Sequence, residues 1–223
     1  MLDPQEEKEF DDLKKKFGEL NLPTPPEIMI GLEVRDGDGN VTLDDIQRGN
    51  SWTRNYWNDF YCFVCGSYNQ SSGVHGPGTL TVLDNTGNPI SYGNGYTYQP
   101  IDYDSIEGNV NGGIVVGSSN DVFDLNDYLM GSVISHGTGT GQLYYNLGYR
   151  NSSVYTTKVW SVDIVRVFNN NSTGNITVNE VGMRGLAWHI LFERSVLVTP
   201  IVLVPDSRIT VSYTISMNFT SID

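Results

Sequence analysis

From Ile209 to Phe219 the chain alternates apolar and polar residues without a break. Ile209, Val211, Tyr213, Ile215, Met217 and Phe219 are separated by Thr210, Ser212, Thr214, Ser216 and Asn218. A period of two puts one set on each face of a strand, so the segment is predicted to be half buried in a sheet. It closes a run of strand-like stretches at residues 159–168, 176–181, 186–198 and 201–204. Turn-forming residues separate them, among them Asn169, Asn170, Asn171 and Gly174, and then Pro205 and Asp206; the order reads as a meander. The predicted fold is mainly β: an antiparallel β-sandwich or jelly-roll-like body with a short N-terminal helix and one further helix. Two parts are expected, an N-terminal helical arm with a Pro-rich linker over residues 1–26 and the β-sandwich body over residues 27–223.

The 223 residues suffice for a full core in one main domain. Only 17% are charged, while 24 Gly and 13 Tyr suit turns and strands. A formal net charge of -13 repels phosphate backbones, and Lys14, Lys15 and Lys16 form the one dense basic run, so nucleic acid is not an expected partner. No stretch approaches the roughly 18 apolar residues of a membrane span. The chain opens with Asp3, Glu6 and Glu7, where a signal peptide would be basic and then apolar; synthesis in a cytoplasm is expected. The acceptor patterns at Asn151, Asn171 and Asn175 are then not expected to carry glycans.

In the arm, Asp3 can cap a helix, Pro4 fits its first position, and Glu6 completes a capping box. Phe10, Leu13, Phe17 and Leu20 follow on a narrow apolar stripe, until Pro23, Pro25 and Pro26 end the helix. So short a helix needs a partner surface. The stripe suits a tether to another protein and a helix packed on its own domain equally. Phe10, Leu13 and Phe17 are the candidate assembly contacts.

Residues 28–34 and 41–43 flank Asp36, Gly37, Asp38, Gly39 and Asn40, a hairpin signal. Asp36, Asp38, Asn40 and Asp44 also fall at calcium-loop spacings, but Val41 stands where that loop needs Gly and Gln47 where it needs Glu, so a plain turn is the reading. Residues 51–65 are predicted helical, with Ser51 as cap and Trp52, Tyr56, Phe60 and Phe63 on one face toward the core. Cys62 and Cys65 form a CxxC that ends this segment; zinc would need two of His75, His136 and His189 as further ligands, so two buried reduced cysteines are the reading. No metal or cofactor site is assigned.

Residues 66–113 read as long loops around short strands near 80–83 and 96–98. Binding on a β scaffold tends to reside in such loops, and Tyr and Trp there could stack on sugars. Gly137, Gly139 and Gly141 make a turn-rich loop without the Lys of a phosphate-binding loop, and His136 beside them has no nucleophile or carboxylate at a diagnostic spacing. A glycan-cleaving enzyme would need paired carboxylates in a groove. No catalytic residue is assigned.

The order of motifs resembles that of virion structural proteins of tailed bacteriophages. The resemblance is carried by Ser51-Trp52-Thr53-Arg54-Asn55, by Gly113-Ile114-Val115-Val116-Gly117 through Asp127-Tyr128, and by Ser135-His136-Gly137-Thr138-Gly139-Thr140-Gly141-Gln142-Leu143. It continues through Asn179-Glu180-Val181-Gly182-Met183 and Phe192-Glu193-Arg194-Ser195-Val196-Leu197-Val198-Thr199-Pro200 to Ile215. It runs from about Gly31 to Ile215 and leaves the arm outside. It implies a β-rich, non-enzymatic protein that works by assembly, as a capsid decoration or head- or tail-associated protein. Its expected partners are copies of itself as a homo-oligomer and other virion proteins such as the major capsid protein. A receptor- or glycan-binding tail module and a glycan-cleaving tail enzyme are the alternatives.

Overall fold

The alternation of residues 209–219 forms a strand at the middle of the larger of two packed antiparallel sheets. The computed structural model describes residues 26–49, 52–65, 74–75, 80–90, 104–156, 158–185 and 189–219, with isolated helical positions at Asp12, Lys15, Lys16 and Glu19. For residues 60–65, 74–75 and 80–81 the backbone alone is described.

The elements are β1 (Glu27–Arg35), β2 (Val41–Arg48), α1 (Arg54–Cys65), β3 (Val74–His75), β4 (Leu80–Thr81), β5 (Gly113–Gly117), β6 (Tyr144–Tyr145) and β7 (Tyr149–Arg150). There follow β8 (Val154–Thr156), β9 (Val159–Asn169), β10 (Ile176–Arg184), β11 (Leu191–Leu203) and β12 (Arg208–Asn218). Sheet A has the order β2-β1-β12-β9-β6, with β7 and β8 also pairing β9; sheet B has the order β11-β10-β5; β3 and β4 pair separately. The architecture is that of a mainly β antiparallel sandwich.

Sheet A follows its sequence pattern. In β1, Ile28, Ile30, Leu32 and Val34 are buried and the residues between them are not; in β12 the buried set is Ile209, Val211, Tyr213 and Ile215. The register Ile30 to Tyr213 and Leu32 to Val211 stacks these apolar residues on one face. They share a core with Val178, Val181 and Met183 of β10 and Leu191 of β11. Burying each such aliphatic side chain contributes roughly 1.5–3 kcal/mol.

The predicted meander is corrected. β9 pairs with β12, while β10 forms a hairpin with β11 in the other sheet, so the chain crosses between sheets after β9 and again after β11. The reason lies in the two turns at the crossing. Asn170 donates its backbone N–H to Ser207 O (2.8 Å) and accepts from the N–H of Asp206 (2.9 Å), and its side-chain amide donates to Gly174 O and Leu203 O. One buried asparagine thus ties both crossings together and satisfies backbone groups that a tight hairpin would otherwise have paired. The expected strands at 186–198 and 201–204 are one strand, β11, which begins at Leu191 and passes through Pro200. There residues 197–200 stand against Asn179 alone, a bulge that accommodates the missing proline N–H.

The predicted hairpin is present, and β2 runs on to Arg48. Asp36 accepts hydrogen bonds from the backbone of Asp38 (3.0 Å) and Asn40 (2.8 Å) and from the Asn40 side chain, which holds its carboxyl below the usual range. That carboxylate is engaged in closing its own turn. The helix α1 begins at Arg54, and Trp52 lies just before it, bridged to Glu193 and stacked on Tyr56 at 3.9 Å; Tyr56 meets Phe192 edge-on. Trp52 and Tyr56 of the expected aromatic face therefore pack against sheet B, while the Phe60 and Phe63 side chains lie outside the described residues.

Candidate functional site

Where β10 and β11 lie under residues 118–132, three charges are gathered. Successive residues of a strand point to opposite faces, so Glu193 enters the space between the sheets while Arg194 projects from the outer face of sheet B. Arg194 donates from Nε to Glu180 Oε2 (2.6 Å), from Nη1 to Asp127 Oδ2 (2.9 Å) and from Nη2 to Asp121 O (2.9 Å). Glu180 in turn accepts the N–H groups of Ser132 (2.8 Å) and Gly131 (3.2 Å). The pair is buried, with side-chain exposures of 2% and 0%. It clasps the loop at both ends, and its remaining hydrogen-bonding capacity is taken up by backbone groups, the condition under which a buried ion pair offsets its desolvation.

Glycine makes the close approach possible. A Cβ at Gly117 would meet the Glu180 carboxylate and lie 2.6 Å from Ser132 O, and one at Gly182 would run into the Met130 sulfur. Beside the clasp lies a pocket of roughly 260 Å³ lined by Arg194 and Gly131, by the apolar or aromatic Val122, Tyr128 and Leu129, and by the polar Asp121, Asn126 and Asp127. The Tyr128 ring also rests against Gly87, where a Cβ would stand 3.2 Å away.

Glu193 behaves differently. It is fully buried, and its carboxyl accepts from the Tyr213 hydroxyl (2.6 Å) and from the Ser195 hydroxyl. Burial pushes its pKa up to about 8, against the opposing pull of the two hydroxyls and of the Arg194 charge. Burial also raises the Tyr213 phenol well above its ordinary range, with the adjacent carboxyl adding to the effect. At neutral pH this is a mostly protonated carboxyl in the core.

Two further arginines serve the scaffold. Arg166 is fully buried and donates to the carbonyls of Asn146 (2.9 Å), Gly112 (3.1 Å), Ile114 (3.0 Å) and Ile106 (3.0 Å), with its guanidinium 5.0 Å from the centre of the Tyr145 ring. Arg184 donates to Val110 O (3.0 Å), and burial lowers its pKa. Both tie residues 104–117 to the sheets.

Exposed aliphatic side chains occur on the adjoining edges of both sheets, as they do on the loops and on β8. Val41 (47% exposed), Leu43 (36%) and Ile46 (66%) lie on β2, while Val198 (56%) and Val202 (51%) lie on β11 and Val204 (46%) just beyond it. Two contacts set these edges side by side. The Val198 N–H donates to the Gln47 side chain (3.3 Å), and a Cβ on Gly37 would lie 3.3 Å from that of Asp206.

The candidate contacts Phe10, Leu13 and Phe17, the cap Ser51 and the expected strand at 96–98 lie outside the described residues, as do the side chains of Cys62, Cys65 and His75. His136 accepts the Tyr145 N–H at Nδ1 (3.1 Å) and lies against the Tyr144 ring, while Gln142 closes the glycine-rich turn by accepting the Gly139 N–H (3.0 Å). Sequence reading did not single out Glu180, Glu193 or Arg194 as a charged cluster. The available signal was two adjacent charges inside an apolar stretch from Leu191 to Val198. Comparison with known proteins finds no matching family model, no matching curated protein and no matching solved structure.

Proposed function

We propose that this chain is a non-enzymatic structural subunit of a tailed-bacteriophage particle, a capsid decoration or head- or tail-associated protein. In this reading it is made in the host bacterial cytoplasm and carried on the virion. It acts through protein–protein contacts with copies of itself and with other virion proteins such as the major capsid protein; no cofactor, nucleic acid or membrane takes part. The observation that carries the reading is the exposed edge strand β2, in which every residue from Val41 to Ile46 is exposed. Single exposed aliphatics are ordinary, but an edge strand that leaves Val41, Leu43 and Ile46 exposed beside unpaired backbone groups suits an edge that another protein covers. The buried charges lend support, since Arg194, Glu180 and Arg166 are engaged in holding strands and loops in place. The net charge of -13 favours a position away from packaged DNA. Phe10, Leu13 and Phe17 would add a second contact through the arm. A persistent assembly needs about 1,000 Å² of buried surface.

The test is to follow the protein by antibody through density-gradient fractions of particles from a phage-producing culture. Migration with the particles is expected; confinement to the free-protein fractions rejects the virion role. Light scattering on the full chain and on a version lacking residues 1–26 then separates the two contacts. The same closed oligomer in both assigns self-assembly to the β body.

A second reading, a receptor- or glycan-binding tail module, is favoured by the pocket beside Tyr128. A lining that combines the Tyr128 ring with Asp121, Asn126 and Asp127 has the mixed character that sugars require. Binding of host-surface polysaccharide fragments that disappears in Tyr128→Ala supports it, and no binding by the intact protein rejects it.

A further inference from the structure

Strand β2 ends sheet A, and among the described residues its only strand neighbour is β1. The Gly49 N–H donates to Ile28 O (2.9 Å), which fixes the phase of the ladder that continues through Met29 to Arg48 and Ile30 to Gln47. Hydrogen-bonded pairs alternate along an antiparallel ladder, so Gln47, Asp45 and Leu43 turn their peptide groups toward β1. Asp44, Ile46 and Arg48 turn theirs outward. Their side chains share the face of sheet A that points away from sheet B, because the core-facing residues Ile30 and Leu32 stand opposite Gln47 and Asp45.

We propose that β2 pairs antiparallel with β2 of a second copy about a two-fold axis at Ile46, so that Asp44 of each chain faces Arg48 of the other. Charge selects this register. Centring the pair on Asp44 or on Asp45 sets two carboxylates directly opposite each other, which is destabilising. Centring it on Leu43 or Gln47 matches no opposite charges within β2, which starts at Val41. Centring it on Ile46 gives two Asp44–Arg48 pairs flanking an Ile46–Ile46 contact on one face, with Asp45 opposite Gln47 on the other. Ile46 is the most exposed aliphatic residue of the strand, at 66%. Arg48 already lies 3.7 Å from Glu27 of its own chain, so a second carboxylate would complete a charge triad. In the single chain the Asp45 side chain accepts the outward Ile46 N–H (2.9 Å), and that cap must open before the strands pair. The two seven-stranded sheets would then run on as one.

The inference rests on the self-association part of the proposed function and not on its virion setting. Light scattering over a concentration series tests it with the intact chain, Asp44→Arg, Arg48→Asp, the double variant Asp44→Arg/Arg48→Asp, and Ile46→Lys. The intact chain should be a dimer, either single charge reversal should weaken it about tenfold, and the double variant should recover it. Ile46→Lys, at an exposed position, should give a monomer that melts like the parent. A dimer indifferent to Asp44→Arg and Ile46→Lys, or a well-folded double variant that stays monomeric, overturns this interface and leaves self-association standing. A monomeric intact chain overturns both, while the gradient experiment decides the virion role separately.

Discussion

Sheet A keeps one face in water, whereas the adjoining halves of β5 and β10 in sheet B are covered on both. β1 alternates between buried and half-buried positions along its whole length, but all of Gly113–Gly117 is buried, as are the last five residues of β10. The outer cover of sheet B is a loop, which brings Met130 but no continuous apolar face. It is held instead by Arg194 and Glu180, with glycines at 117 and 182 to let it approach. A water-facing sheet can therefore be stabilised by pattern alone, while a doubly covered one without a second layer needs specific polar anchors, and its stability is concentrated in a few residues.

The severest break is Arg194→Met, which leaves Glu180 and Asp127 without their cation. A loss of about 3–5 kcal/mol in chemical denaturation is expected. Adding Glu180→Leu should recover only part of it, because the Gly131 and Ser132 N–H groups then lose their acceptor. Full recovery would show that the anchor is replaceable by apolar packing.

Next in size is the pH response of the inner face. Glu193 holds its proton up to about 8 in the folded chain, against an ordinary 4.5. Its contribution is therefore fully present below pH 4.5 and is lost as pH rises toward 8. At about 1.4 kcal/mol per pH unit, the chain should lose roughly 3 kcal/mol from this group between pH 5 and 7.5. Unfolding curves of Glu193→Gln should lack that slope; an unchanged slope would place the titration elsewhere.

A smaller effect is expected from Gly117→Ala, where the new methyl meets the Glu180 carboxylate and Ser132 O: a loss of about 1–3 kcal/mol, read from the melting midpoint. On the wet face of sheet A, Thr210→Lys should stay within about 0.5 kcal/mol of the parent. A cost comparable to that of Gly117→Ala would erase the contrast between the sheets.

The same contrast explains what could be read in advance. β1 and β12 were legible because a half-wet sheet writes its burial as alternation, and the Asp36 turn was legible because turn residues act locally. The paths of β9 through β12 were not, since Asn170 joins two turns far apart in sequence and nothing in either turn announces the other. Arg194 and Glu180 stand in stretches that read simply as strands; their partners, Asp127 and Ser132, come from a loop whose position only the fold supplies. The aromatic face of residues 52–56 was read correctly as core, although its first member precedes the helix.

The register that sets Glu27 beside Ser216 and Arg35 beside Arg208 also carries an order in time. β1 leaves the ribosome before every other described strand, yet its neighbour on the inner side of sheet A is the last described strand to be made. The Gly31 carbonyl waits 181 positions along the chain for the Ser212 hydroxyl. Until then β1 and β2 are a lone hairpin, which is marginal in water by itself. Sheet A closes only once β12 has been made, and a chain interrupted before β12 is left with an apolar hairpin face that lacks this neighbour.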